Sequence, residues 1–379
     1  MNRQSVRGRD LASGEIVEVV VDDGLIRAIT PVSSGEERWL SPGFIDLQVN
    51  GYCRHDLNAE SLTPEVVIAL ARELVALGVT TFLPTLITAA EERLVAALRS
   101  IAEARLISPL AAHMIPCVHM EGPHLSPTDG PRGAHSRAQV RPPDCDEMER
   151  WQAASGGLVG LVTLSPEWDG ALDYIAHLAR RGILVALGHT DADPARIHAA
   201  AQAGAVLSTH LGNGVAGDLP RHPNLLWAQL ADDRLTATFI ADGHHLPADT
   251  LIAMLRAKGI ERSVLVSDAV AVGGLRPGLY QTPVGGTVEL TAEGRIGIPG
   301  TRTMAGAALP LRAGIANVAR LPGFSLQQAV RMATENPGRF LGGRGVLRVG
   351  TPADLVQFAW HPADGHLEIG RVFVRGVEQ

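Results

Sequence analysis

Along the middle of the chain, short runs that are apolar at almost every position alternate with longer stretches whose apolar residues recur every three or four positions. The short runs are GFIDLQV (43–49), VTTFLPT (79–85), MIPCVHM (114–120), LVGLVTL (158–164), ILVALGH (183–189), AVLSTH (205–210), TATFIAD (236–242) and SVLVSD (263–268). Unbroken apolarity over so few residues predicts strands covered on both faces, as in a parallel sheet. The stretches between them read as helices. TPEVVIALARELVALG carries Thr63 as a predicted N-cap, Pro64 at the first helical position and Gly78 at the end. DPARIHAAAQAG repeats that grammar with Asp193, Pro194 and Gly204, while AEERLVAALRSIAEARL and ALDYIAHLARRG carry the apolar stripe of helices packed on a sheet. Eight β-then-α units in succession predict an α/β protein built on a (β/α)8 TIM barrel.

The two ends follow a different rule. Residues 1–41 contain EIVEVVVDDGLIRAIT, which alternates and turns at Asp23-Gly24 like a hairpin. Residues 347–379 are again strand, turn and strand. Neither end can bury a core alone, so the two are expected to join into one small β-sandwich domain, 1–41 plus 347–379, beside a barrel spanning 42–346.

Composition narrows the function. With 46% hydrophobic and 19% charged residues the chain has ample material for a core. The net charge of −7, without a basic block, argues against a nucleic-acid partner. The polar start MNRQSVRGRD lacks a signal-peptide core, and no apolar stretch is long enough for a bilayer, so a cytoplasmic location without membrane contact is expected. Cys53, Cys117 and Cys145 are odd in number and widely spaced, which suggests neither a disulfide frame nor a thiolate zinc site.

Barrel chemistry sits at the carboxyl ends of strands. Those positions carry Gln48 and Asn50, His119 and Glu121, His189, His210, Asp242 and Asp268. Glu121, His189, His210 and Asp268 are metal-ligand or proton-transfer types on four separate strands. Taken alone, a histidine at a strand end is more often a hydrogen-bonded structural residue. Two at adjacent strand ends with an acid on a third form a set that holds a catalytic metal and leaves an open position. Asp268 is then placed to move a proton. His119 shares a face with Glu121 and is assigned an orienting role. His113 and His124 are read as ordinary polar residues. The loop EGPHLSPTDGPRGAH either forms simple turns or lies over a substrate and aims His135 inward.

With these residues placed, the chain resembles the amidohydrolase superfamily and, within it, the N-acetylglucosamine-6-phosphate deacetylases. The resemblance rests on SPGFIDLQVNG (41–51), HMEGPHLSP with GAH (119–135), GHTDA (188–192), THLGNG (209–214), IADGHH (240–245), LVSDA (265–269), MAGAAL (304–309), ATENPGR (333–339) and GTPADLV (350–356), in that order. It implies that Glu121, His189 and His210 bind one divalent metal per subunit, zinc or iron, and that Asp268 is the catalytic acid and base. It further implies that His135 and His245 surround the reacting acetamide and the sugar, and that Asn213 and Gly214 line the sugar-phosphate site. Arg221 matches an arginine that in relatives reaches phosphate from the neighbouring subunit of a homodimer, a task suited to its bidentate fork. Many superfamily members bridge two metals with a carbamylated lysine on the fourth strand. Here Lys258 is the sole lysine, and Gln48-Val49-Asn50 stands where a His-x-His pair is expected, so one essential metal is implied and Gln48 and Asn50 mark vacated ligand positions.

Two departures from the family pattern bear on substrate. Gly212-Asn213-Gly214-Val215 replaces a bulky residue followed by Asn-Ala-Met, and His222 and Pro223 surround Arg221. The implied reaction is hydrolysis of N-acetylglucosamine 6-phosphate to glucosamine 6-phosphate and acetate. N-acetylgalactosamine 6-phosphate, an unphosphorylated N-acyl amino sugar and N-acyl amino acids are the alternative substrates. A metal-free structural or binding barrel is the alternative of another class.

Overall fold

Each of the eight apolar runs yields a β-strand. The computed structural model describes residues 3–283, 285–301 and 303–379. The strands Phe44–Val49, Val79–Ile87, Val118–Glu121, Val159–Leu164, Leu184–Leu187, Leu207–Ser208, Thr236–Ile240 and Ser263–Val266 lie in one parallel sheet in sequence order. First and eighth strands meet at their carboxyl ends. There Asp268 N donates to Gln48 O (3.0 Å), Asn50 N to Ala269 O (2.8 Å), and Val49 bridges Ala269. At the opposite end the strands are held apart by residues 332–333, with Leu265 N bonded to Met332 O and Ile45 N to Ala333 O, both 2.8 Å. The seam therefore closes where the first strand's Gln48 and Asn50 must stand beside Asp268.

Two layers of apolar side chains hold this barrel. Ile45, Leu47, Leu83, Leu161, Leu207 and Val264 belong to the cluster in its bore, whereas Phe44, Phe82 and Val162 pack outward against helices. That division is the period of two expected of a strand with both faces covered. The helix Pro64–Ala76 starts after Thr63, whose backbone is extended but whose hydroxyl makes no capping bond. In Pro194–Ala203 the Asp193 carboxylate does cap, accepting from Arg196 N at 2.8 Å.

The third strand begins later than its apolar run suggests. Residues Pro109–Met114 form a helix, because Pro109 opens it and the Ser108 hydroxyl accepts from Ala111 N at 3.2 Å. Met114 is thus the buried last residue of a helix, and the strand starts at Val118.

The terminal segments build a seven-stranded sheet from Gln4–Asp10, Ile16–Asp22, Leu25–Pro31, Trp39–Pro42, Leu355–His361, His366–Val374 and Val377–Glu378. Asp23 (φ 51°) and Gly24 (φ 72°) form the tight hairpin turn. The sheet curls over its own core of Val6, Val19, Ile26, Leu40, Leu355 and Phe373. Its edge returns to the chain just before Leu355, where Ile26 N donates to Thr351 O (2.9 Å). His113 is part of the junction with the barrel, its Nε2 lying 2.8 Å from Asp354 Oδ2.

Beyond the eighth strand lies a small antiparallel flap of Gly278–Thr282, Gly286–Leu290 and Ile296–Gly297. Val288, Leu290 and Ile296 anchor it on Val272, Ala305 and Ala308. No helix among the described residues is long and apolar enough to cross a membrane, and all three cysteines are free.

Candidate active site

Glu121 is the last residue of the third strand, and His189, His210 and Asp268 each lie two residues beyond theirs. The last three have left-handed backbones, with φ of 50°, 28° and 51°. Such a conformation costs a non-glycine residue about 1–2 kcal/mol and persists only where the surroundings impose it. Here His210 N donates to Thr238 Oγ1 (2.7 Å), His189 O accepts from Ser126 N (2.9 Å), and Asp268 O accepts from Ala307 N (3.0 Å). The left-handed turn swings each side chain from the strand direction across the barrel mouth.

All four side chains are buried, and three converge closely. Glu121 Oε1 lies 2.9 Å from His210 Nε2 and 3.3 Å from His189 Nε2, and one ligand atom from each of the three falls within 4.8 Å of the others. Burial works against a charged Glu121, but the bonds and charges of the two imidazoles hold its carboxyl well below the usual range. His189 Nδ1 faces Pro131 O at 2.9 Å, which places the ring proton there and a lone pair on Nε2. One nitrogen from each imidazole and one oxygen of Glu121 thus converge in a buried pocket, a set of ligand types that suits a divalent cation once it displaces the imidazole protons between them.

Around this group the first strand supplies donors. Gln48 Nε2 donates to Glu121 Oε1 (2.9 Å) and to Asp268 Oδ1 (3.1 Å), and Asn50 Nδ2 donates to Asp268 Oδ1 (2.7 Å). Burial and then the Glu121 charge push the Asp268 carboxyl well above its ordinary range. His119 turns away from the cluster. Its Nδ1 donates to Leu47 O (3.1 Å), and its Nε2 accepts from Thr163 Oγ1 (2.8 Å), which accepts in turn from Thr209 Oγ1 (2.6 Å). Burial lowers it to about 4, so it stays neutral and braces strands one, three, four and six.

The cluster opens into a cavity of about 570 Å³ lined also by His135, Asn213, Gly214 and His245. His135 packs edge-on against the His189 ring at 4.4 Å between centroids, and its Nδ1 lies 3.0 Å from Thr88 Oγ1. Burial, followed by His189, lowers it to about 3. His245 Nδ1 is 2.8 Å from Asp242 Oδ2, whose other oxygen accepts from the backbone N–H groups of His244 and His245. Gly214 has φ +58°, and a Cβ there would come within 2.6 Å of His189 Nδ1. The glycine allows the loop after strand six to lie on that imidazole.

Arg221 is exposed and stands outside this chain's own cavity. His124 also lies outside it, fully buried and stacked on Trp151 at 5.6 Å. The reading of the sequence missed the flap residues Thr282, Arg295 and Thr303 and the turn residues Asp56 and Asn58, all of which line the cavity. A signal for the flap was present in the alternation of GLYQTPVGGTVEL around Gly285-Gly286.

The chain is similar to known proteins along most of its length. The chain is 34% identical to the N-acetylglucosamine-6-phosphate deacetylase of Bacillus subtilis (strain 168), across 84% of this chain and 80% of that one. It is 32% identical to the N-acetylgalactosamine-6-phosphate deacetylase of Escherichia coli O157:H7, across 94% and 93%. Among solved structures it is similar to a mutant of N-acetyl-D-glucosamine-6-phosphate deacetylase from Mycobacterium smegmatis in complex with N-acetyl-D-glucosamine-6-phosphate. That match has a TM-score of 0.88 and 28% identity, and covers 100% of this chain and 99% of the other. The amidohydrolase family matches residues 39–377, and the chain belongs to that family.

Proposed function

We propose that this protein hydrolyses the acetamide of N-acetylglucosamine 6-phosphate, giving glucosamine 6-phosphate and acetate. The observation that carries the reading is the buried group of Glu121, His189 and His210, tied to Asp268 through Gln48 at the floor of one cavity. Relatives with deacetylase activity over most of the chain support it.

An amide carbonyl resists water because resonance with nitrogen blunts it. A divalent cation, zinc or iron, held by Glu121, His189 and His210 would polarise that carbonyl and acidify water beside it. Asp268 takes the proton of the attacking water and then delivers it to the departing amine. Gln48 and Asn50 hold the Asp268 carboxylate by its Oδ1. His135, held by the 3.0 Å contact of its Nδ1 with Thr88 Oγ1, presents Nε2–H to the developing oxyanion in the tautomer that this role requires. His245, Asn213 and Gly214 contact the sugar. In a homodimer Arg221 reaches the phosphate of the neighbouring subunit's substrate, which accounts for its position outside its own cavity. The setting is the cytoplasm.

A second reading is the 4-epimer, N-acetylgalactosamine 6-phosphate, favoured by the relative that matches 94% of this chain. Acetate release from the two sugar phosphates, their unphosphorylated forms and N-acetyl amino acids decides between them. Preference for N-acetylglucosamine 6-phosphate is expected. Preference for its epimer moves the substrate and keeps the mechanism, and release from N-acetyl amino acids alone overturns the reading.

A further inference from the structure

The cavity floor is acidic, with Glu121 and Asp268, yet the substrate proposed above is an anion. Among the described residues that line the cavity, Arg295 is the sole arginine or lysine. It stands on the flap after the eighth strand, a separate wall from the loop that carries Asn213 and Gly214. Its backbone is fixed on both sides. Thr291 N donates to Arg295 O (2.9 Å), Gly294 N to Thr291 O (3.1 Å), and Arg295 N to Thr291 Oγ1 (3.3 Å). The next residue, Ile296, is fully buried against the loop that follows Asp268.

A Cβ at Gly297 would come within 2.9 Å of Arg295 Nη1, so that glycine leaves room for the guanidinium along the strand. The flap is also tied to the loop after the seventh strand, since His244 Nε2 donates to Glu293 O at 2.9 Å and His245 follows directly. Arg295, His244 and His245 all line the cavity, and a guanidinium fork is well suited to a dianion.

We propose that Arg295 binds the phosphate of the substrate from within the same subunit, as a specificity-determining residue carried by the flap. This rests on the phosphorylated-sugar reading. It gives each cavity a phosphate contact that needs no second copy of the chain, in addition to the one assigned to Arg221 across a dimer.

The test is steady-state kinetics of the metal-loaded enzyme on N-acetylglucosamine 6-phosphate and on N-acetylglucosamine, for wild type, Arg295→Gln, Arg295→Lys and Arg221→Gln. Loss of charge-assisted bonds predicts that Arg295→Gln raises KM for the phosphorylated sugar about 10- to 100-fold, far more than for the unphosphorylated one. Arg295→Lys should recover part of that loss, at every enzyme concentration, with an unchanged melting temperature. An Arg295→Gln enzyme within twofold of wild-type KM, or one impaired equally on both sugars, overturns the proposal while a wild-type preference for phosphate keeps the functional reading. A wild type indifferent to phosphate overturns both.

Discussion

One amide nitrogen, Nε2 of Gln48, hydrogen-bonds both Glu121 Oε1 at 2.9 Å and Asp268 Oδ1 at 3.1 Å, joining the first, third and eighth strands at the barrel mouth. An amide has two N–H donors on that atom, so one side chain satisfies a ligand-type carboxylate and a proton-carrying one together. A histidine or a carboxylate at this position would compete with them for a cation. Gln48→Leu should retain the metal group and misplace Asp268. With each lost bond to a charged group worth about 1.5–3 kcal/mol, kcat should fall about 10- to 100-fold with metal content unchanged. Metal analysis beside steady-state rates checks it, and loss of metal in step with rate would assign Gln48 to metal retention.

Asp268 and His189 are expected to fail differently. Asp268→Asn keeps the shape and the Asn50 and Gln48 neighbours but cannot shuttle a proton, so turnover should fall by at least about 100-fold with metal retained. His189→Ala removes one of three converging ligand atoms and should lose metal as well. Near-normal turnover in Asp268→Asn would transfer the proton role to another group.

Much of this site was legible in the chain because buried parallel strands read as unbroken apolar runs. Where such a run stops at Glu121, His189, His210 or Asp268, the polar residue marks the barrel mouth. The left-handed backbones of His189, His210 and Asp268 were not legible, since nothing in a histidine or aspartate announces φ above zero. The flap was hidden for another reason. Its first strand, Gly278–Thr282, is largely solvent-exposed, so its apolar signal is weak although it walls the cavity. Met114 misled because an apolar residue ending a buried helix looks the same as one starting a strand; Ser108-Pro109 held the answer.

Gly214 offers a test of how tightly the loop after strand six holds His189. At Gly156, also left-handed (φ +65°), an added Cβ meets nothing within 4 Å, so Gly156→Ala should cost only the backbone strain, about 1–2 kcal/mol. Gly214→Ala has the same strain and adds a Cβ 2.6 Å from His189 Nδ1. The ring or the loop must move, disturbing the Pro131 bond that fixes its tautomer. Metal affinity should fall about 10- to 100-fold in Gly214→Ala and stay unchanged in Gly156→Ala. Competition with a metal-binding dye measures both, and equal affinities would show the loop to be compliant.

Asp46 gives a pH signature separate from catalysis. It lies fully buried in the first strand, accepting from Ser267 N (3.1 Å) and Gln48 N (3.3 Å), and burial pushes its carboxyl up to about 6 despite those bonds. Between pH 4 and 6 the folded protein therefore keeps a proton that the unfolded chain releases. By linkage, Asp46 contributes a stability that is present at pH 4 and lost as pH rises through 6, roughly 3 kcal/mol in all. Asp46→Asn keeps an acceptor oxygen and has no proton to lose. Its stability relative to wild type should rise as pH goes from 4.5 to 7 and then level off. Urea unfolding midpoints of both proteins across that range check it. A difference that does not change with pH would mean that Asp46 is ionised in the fold at pH 4.5, its charge held by Ser267 and Gln48.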